Sequence, residues 1–467
     1  MPYPTEQTAP YSLKRELGRW DLTAIGINQV IGAAVFALPA ALAANAGAWS
    51  PWMVGAVGFA SLLIALSFAE VASRFDGTGG PYLYTRAAFG RFAAFEVGWM
   101  LWFTRAASWA SVINVLVSSL GFYWPALTTG APRTIVITLI IALLAAINVR
   151  GIRQSSLVVN LLTVGKLLPL AVFIAAGIFF VDWARLGPSA TPTAAQLSSS
   201  GLLLIFAFGG YEIVPVPGGE ARNPRRDVPF ALIMTIVVVT AVMTLAQVVA
   251  VGTLPGLAAS KTPLADAATV FLGAGGAAMI TLGAVFSTTG NNMGQALSGS
   301  RNLFALAEQG DLPAFFGRVH PKFRTPSNAV LVTAGVSLAL ALSGTFQSMA
   351  AASAISRLLV YVATCASMLR LRSARFSGVV KPPAFVVPFG PIVPIAAIAI
   401  AATILAGATP LQLRNGVAAL LAGAVLFGIA AFVQPRARDV HSDQLSDIPS
   451  KIEQEKGRKG GNLSSGQ

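Results

Sequence analysis

The chain has 467 residues, 55% of them hydrophobic and 11% charged, with a mean hydropathy of +0.70; soluble domains average about 25% charged residues, so water is not its main solvent. Its net charge of +14 does not describe a nucleic-acid binder, which gathers Lys and Arg on one water-exposed face, whereas here they fall in short loops between apolar runs. The single cysteine, Cys365, lies inside such a run, which excludes a disulfide framework or a thiolate metal site.

In chain order, residues 1–20 read as a cytoplasmic N-terminus. Its flank Lys14 to Trp20 is basic and amphipathic, with no cleavage site after a short apolar core, so no signal peptide is expected. Apolar runs long enough to cross ~30 Å of hydrocarbon follow, at about 22–43, 50–73, 92–123, 133–149, 155–180, 199–217, 228–254, 268–298, 327–343, 346–369, 384–406 and 412–433. The 45 glycines and 28 prolines suit membrane helices, which tolerate both. Alternate loops are rich in Lys and Arg, from Lys14, Arg15 and Arg19 through Arg222, Arg225 and Arg226 to Arg370, Arg372, Arg375 and Lys381. The opposite loops hold only Arg133, Arg185, Lys261 and Arg414. The positive-inside rule then places both termini in the cytoplasm of a multi-pass protein of the cytoplasmic membrane. Residues 435–467 are polar and mixed in charge, and are expected to form a disordered cytoplasmic tail.

Two runs are interrupted. The first reads Gly26-Ile27-Asn28-Gln29-Val30-Ile31-Gly32-Ala33-Ala34-Val35-Phe36, with Pro39 beyond; the sixth reads Phe206-Ala207-Phe208-Gly209-Gly210-Tyr211-Glu212, with Pro215 and Pro217 beyond. They match in position if helices 1–5 (residues 21–183) and 6–10 (184–372) are two repeats. Five is odd, so the second repeat starts from the other side of the membrane, leaving 373–434 for helices 11 and 12. Broken first helices in two inverted repeats point to a substrate site at the midplane. Close helix packing alone would also use glycine, but Gly-Gly beside Glu and Pro favours an unwound segment.

Four stretches now carry a resemblance: the Ile31-Gly32-Ala33-Ala34-Val35-Phe36 pattern; Gly79-Gly80-Pro81-Tyr82 through Arg86 to Phe89-Gly90; Glu220-Ala221-Arg222-Asn223-Pro224-Arg225-Arg226-Asp227; and Ser300-Arg301-Asn302 through Gly310-Asp311-Leu312-Pro313. In this order the chain resembles the amino acid–polyamine–organocation (APC) permeases. The resemblance implies an all-α membrane protein of about twelve helices, with a LeuT-like five-plus-five inverted repeat, broken helices 1 and 6 and two added C-terminal helices. It implies a secondary transporter of amino acids, not an enzyme, with no cofactor and no metal. Lipid and protons are its expected partners, nucleic acid is not, and a homodimer stays open.

The ends of an unwound helix offer N–H groups to a carboxylate and carbonyls to an ammonium. The α-carboxylate is therefore expected at Gly32, Ala33 and Ala34, and the α-amine near the carbonyls of Val30, Phe206 and Gly209. Phe206 matches the aromatic gate of relatives; Ala33 departs from the commoner Gly-Ser-Gly and lacks a hydroxyl. Lys166, in mid-span, matches the place where sodium-coupled relatives bind sodium. Its oxygen partners are expected from Ser287 and Thr288, and its role is a fixed cation or a proton carrier. Arg105 and Arg357 match substrate-near positions, and the family's cystine/glutamate exchangers carry arginine at both. They suit a second carboxylate or, alternatively, an internal pair with Glu212 or Glu96. Glu212 is read as a gating or a capping residue, Gln295 and Asn292 as substrate-side amides. Glu70 and Asp76 are expected to pair with Arg74 or Arg86. Trp20, Trp49, Trp52, Trp124 and Trp183 are read as interfacial anchors.

The competing classes are weaker. The two histidines, His320 and His441, lie in cytoplasmic segments, and no His-Glu-x-x-His or Gly-x-Ser-x-Gly supplies a metal site or nucleophile. A channel would need a repeated filter or a ring of like charges. Lys166 favours sodium independence and leaves proton symport and exchange as alternatives.

Overall fold

The structure, a computed structural model, describes residues 13–32, 34–120, 124–187, 190–343, 346–406 and 410–433. The expected tail at 435–467 and most of the N-terminal segment lie outside them. The described residues are all-helical: α1 (Arg19–Val30), α2 (Ala34–Ala46), α3 (Ser50–Ala72), α4 (Pro81–Phe89), α5 (Arg91–Leu120), α6 (Gly130–Arg150), α7 (Ile152–Gly177), α8 (Ala194–Phe208), α9 (Pro224–Thr253), α10 (Pro263–Glu308), α11 (Ser327–Ser343), α12 (Phe346–Leu371), α13 (Ile392–Ala406) and α14 (Pro410–Val433). Among the described residues, five stretches are long and apolar enough to cross a membrane: Leu38–Ala72, Gly130–Arg150, Ser156–Phe180, Pro224–Thr253 and Pro263–Glu308.

Where the elements depart from the sequence reading, the backbone explains it. α4 was not anticipated as a helix. Gly80, at φ 50, turns the chain and Pro81 occupies the first helical position, where a missing N–H costs nothing. The eleventh run was expected from 384 but α13 starts at Ile392; Pro382, Pro383, Pro388 and Pro391 withhold the N–H groups a helix needs. α10 continues ten residues past the expected end at 298. Ser300, Arg301 and Asn302, which lie beyond the expected run, are buried within it. The kink in α10 is at Gly273, with φ 64 and ψ −160.

The core is made of closely set helices, and glycine sets the separation. A Cβ at Gly165 of α7 would come within 2.8 Å of the Phe286 ring on α10, and one at Gly26 of α1 would meet Val214 at 2.8 Å. α1 thereby lies at the centre, against α7, α9 and α10. Trp20, Trp52, Trp124 and Trp183 point outward with 59–73% of their surface exposed, Trp49 somewhat less, as anchors would.

Candidate substrate and cation site

α1 stops at Val30. Ile31 leaves helical geometry (φ −75, ψ 81), and the Gly32 N–H turns back to the Val30 carbonyl at 2.8 Å. Carbonyls that helix would otherwise occupy are thereby freed. The Lys166 ammonium of α7 collects two of them, donating to the carbonyls of Asn28 (3.0 Å) and Ile31 (2.7 Å), and reaches the Ser287 carbonyl of α10 at 3.2 Å. The Ser287 hydroxyl donates to Ile31 and Gly32 at 2.9 and 3.0 Å. Ser287 thus serves Lys166 through its backbone. Thr288 does not serve it: its hydroxyl bonds back to Ala284 and Val285 on its own helix, the usual alternative for threonine in an apolar helix. Lys166 is wholly buried.

A seam of amides joins the end of α1 to α10. The Asn28 side chain donates to the Gly290 carbonyl at 2.5 Å, and Gln29 to the Asn291 carbonyl at 2.9 Å. Asn291 answers with a 3.0 Å bond to the Gln29 carbonyl. Gly294 makes room for the Gln29 side chain, and at Gly32 a Cβ would approach Asn291 to 3.2 Å. Asn28 and Gln29 were not singled out in the sequence. The signal was present, as two consecutive amides ahead of a glycine in an apolar run, where an unsatisfied amide is costly.

α8 ends at Phe208, and the two breaks meet. Gly210 has φ +133, and a Cβ there would stand 2.8 Å from the Gln29 carbonyl oxygen and 3.1 Å from the Val30 nitrogen. Only glycine suits both the dihedral and the approach. The chain beyond is pinned by the glycine loop before α4, where the Gly79 N–H donates to Val216 at 2.9 Å.

Glu212, wholly buried, organises the second break. Its carboxylate accepts from the Gly210 N–H (2.8 Å), from Tyr361 (2.9 Å) and from Arg105 (2.5 Å). Arg357 Nε lies 2.8 Å from the oxygen that Arg105 uses. Glu212 is therefore both a cap and the internal counter-ion of both arginines. Glu96, the other expected partner, takes neither, and its oxygens have no hydrogen-bond partner among the described residues. Two guanidiniums share one carboxylate, which leaves a formal charge of +1. Arg105 also donates to Gln295 at 3.2 Å, and Gln295 to Asn291 at 3.2 Å, linking the cluster to the amide seam. Tyr361 was missed; it stands four residues after Arg357, on the same helical face.

Val30 is buried and Ala34 half-buried at the start of α2, while Gly209 abuts the Arg357 guanidinium. Asn292 donates to the Thr288 carbonyl at 2.9 Å, and its oxygen has no hydrogen-bond partner among the described residues. Ala33 and the Phe206 side chain lie outside the described residues, though Phe206 belongs to α8.

The end of the bundle that holds the basic loops is tied by ion pairs, of which the expected Glu70–Arg74 pair is present but long, while the others take partners that differ from expectation. Glu70 takes Arg372 bidentately at 2.7 and 2.5 Å and holds Arg74 only at 3.9 Å; Asp76 takes Lys381. Arg86 goes to Asp311 at 2.9 Å, together with Arg91 and Tyr82, both at 2.5 Å. Burial first, and then the Asp311 charge, push the Tyr82 phenol far above its ordinary pKa, so it stays a donor. Arg301 and Glu220, both wholly buried, form a bidentate pair at 2.9 and 3.0 Å.

A family model described as amino acid permease matches residues 17–432. An uncharacterized transporter of Mycobacterium tuberculosis is 30% identical over 456 residues, 94% of this chain and 97% of its own. The branched-chain amino acid permease BcaP of Bacillus subtilis is 30% identical over 68% of this chain and 72% of its own. The serine/threonine exchanger SteT of the same organism is 29% identical over 84% and 90%.

Proposed function

This chain belongs to the amino acid permease family and is a membrane transporter rather than an enzyme, and on that premise we propose that it carries an amino acid by alternating access, sodium-independent and coupled to protons through Lys166. The observation that carries the reading is the meeting of two helix breaks at Gln29–Val30 and Gly210, with a buried ammonium in place of a metal cation. The α-carboxylate is assigned to the N–H groups that open α2 at Gly32–Ala34. The amine is assigned to carbonyls near Val30, Phe206 and Gly209, with Phe206 as the lid and Glu212 as the gate. α1 to α7 and α8 to α12 are read as two inverted repeats (21–183 and 184–372) in a twelve-helix protein of the cytoplasmic membrane, both termini in the cytoplasm.

The test is uptake into liposomes. Purified protein should accumulate a labelled amino acid when the inside is made alkaline, with no requirement for sodium. Uptake that needs sodium, or that ignores the pH gradient, would overturn the coupling. A second reading, exchange of acidic amino acids, is favoured by the surplus positive charge of the Arg105–Glu212–Arg357 cluster. A side-chain carboxylate would neutralise it, whereas a cationic substrate would be repelled. Arg105→Ala should then lose acidic substrates selectively, and an equal loss of neutral ones would remove this reading.

A further inference from the structure

We propose that the corner where α1 and α9 begin is a binding site for the phosphate headgroup of an anionic phospholipid. The corner is assembled by backbone pairing. Leu17 N–H donates to the Glu220 carbonyl at 2.9 Å, and Arg222 N–H to the Leu17 carbonyl at 2.8 Å. This bridge brings the segment carrying Arg15 and Arg19 alongside the segment carrying Arg222 and Arg226. All four arginines are exposed. Among the described residues, none of them lies within ion-pair distance of a carboxylate, unlike Arg74, Arg86, Arg91, Arg301 and Arg372.

The corner's own acids are engaged elsewhere. Asp21 accepts from the Gly18 N–H (2.9 Å) and from Asn160 (2.7 Å), Asp227 from the Asn223 N–H (3.0 Å), and Glu16 faces Lys14 at 3.8 Å. Asp21 and Asp227 thus complement the first turns of their helices, and the arginine side chains are left for an external anion.

An aromatic ladder sets the depth. Trp20 is 60% exposed and meets the Phe230 ring edge-on at 5.1 Å, and the Arg19 guanidinium stands 5.1 Å from the same ring. An exposed tryptophan on a membrane helix belongs at headgroup level, so the arginines around it stand at the level of lipid phosphate. Guanidinium matches a phosphate's oxygens in pairs, and each basic residue near an anionic surface is worth roughly fivefold in affinity. The same bridge includes Glu220, whose carboxylate holds Arg301 of α10, so an occupied site would stiffen the join between the entry to α1 and the end of α10.

The experiment follows thermal unfolding of the whole purified protein in neutral detergent. Short-chain phosphatidylglycerol, phosphatidylcholine of equal chain length and inorganic phosphate are added separately. Phosphatidylglycerol should raise the Tm above the phosphatidylcholine value, and phosphate alone should not. The variant R15Q/R19Q/R222Q/R226Q should lose most of that difference. A charge-matched control with four other exposed cations removed, K261Q/R318Q/R375Q/R414Q, should keep it. The proposal is overturned if the corner variant keeps the difference, if the control loses it equally, or if phosphatidylcholine is as effective. A phosphate effect equal to that of phosphatidylglycerol would assign the corner to a free anion instead. Should the fourfold variant not fold, R222Q/R226Q is read in the same assay; it should lose roughly half of the difference, and an unchanged difference overturns the proposal.

Discussion

The break in α1 and the break after α8 each hold a buried ionisable group, and they hold it in opposite ways. Lys166 is surrounded by neutral dipoles, three backbone carbonyls with the Ser287 hydroxyl beside them. Glu212 stands between two guanidiniums, a phenol and a backbone N–H. A lysine held only by carbonyls can exchange its proton without stranding a counter-charge. Arginine does not deprotonate in proteins, so the second break needs a permanent carboxylate. The first break thus has the chemistry of a charge that can change, and the second that of charges that stay.

The largest effect should come from Glu212→Gln. It leaves Arg105 and Arg357 facing each other without their shared anion, and removing one partner of a buried pair costs about 3–5 kcal/mol. Thermal unfolding in detergent should show that loss, and uptake should vanish. A variant as stable as the parent would mean that the arginines find another anion, and the contrast between the breaks would fall.

Lys166→Met sharpens the other side. It removes no counter-ion's partner, only a donor from three carbonyls, which should cost about 1–3 kcal/mol of stability. Uptake driven by a pH gradient should be lost while ligand protection against heat survives. Proton-driven uptake in the variant would dissociate Lys166 from coupling. Gly210→Ala tests the contact between the breaks. A Cβ at φ +133, pressed on the Gln29 carbonyl, should cost about 1–3 kcal/mol and weaken substrate binding, read as a raised KM. An unchanged KM would place the substrate away from this contact.

Both breaks were legible in the sequence: the second because a glycine pair beside a charge inside an apolar run has no cheap structural use, the first because Gly32 and the small residues after it stand at the matching position of the other repeat. Lys166 and Glu212 were legible as charges inside apolar runs. Partner choice was not. Glu70 and Arg372 are 302 residues apart in the chain, and no local pattern distinguishes that pairing from one with Arg74. Arg301 read as a loop residue because it lies past the apolar run that ends at 298, and the loops are where the cations collect. Only the three-dimensional arrival of Glu220 allows α10 to continue through it. Thr288 was misassigned because a helical threonine has a private alternative in its own helix's carbonyls, which composition cannot reveal.

The smallest effect should come from the periphery. Two ion pairs fasten the chain after α12 to the end of α3. In one, Arg372 grips Glu70, whose side chain is 1% exposed and also accepts from the Val387 N–H at 2.7 Å. In the other, Lys381 meets Asp76 with 48% and 30% of their side chains exposed. Exposed pairs are screened by salt and lose side-chain entropy in forming, so Lys381→Ala should cost no more than about 1 kcal/mol. It should leave uptake unchanged at any ionic strength. A clear loss of uptake would mean that this fastening of α3 moves during transport. The working charges would then extend beyond the two breaks to the rim of the bundle.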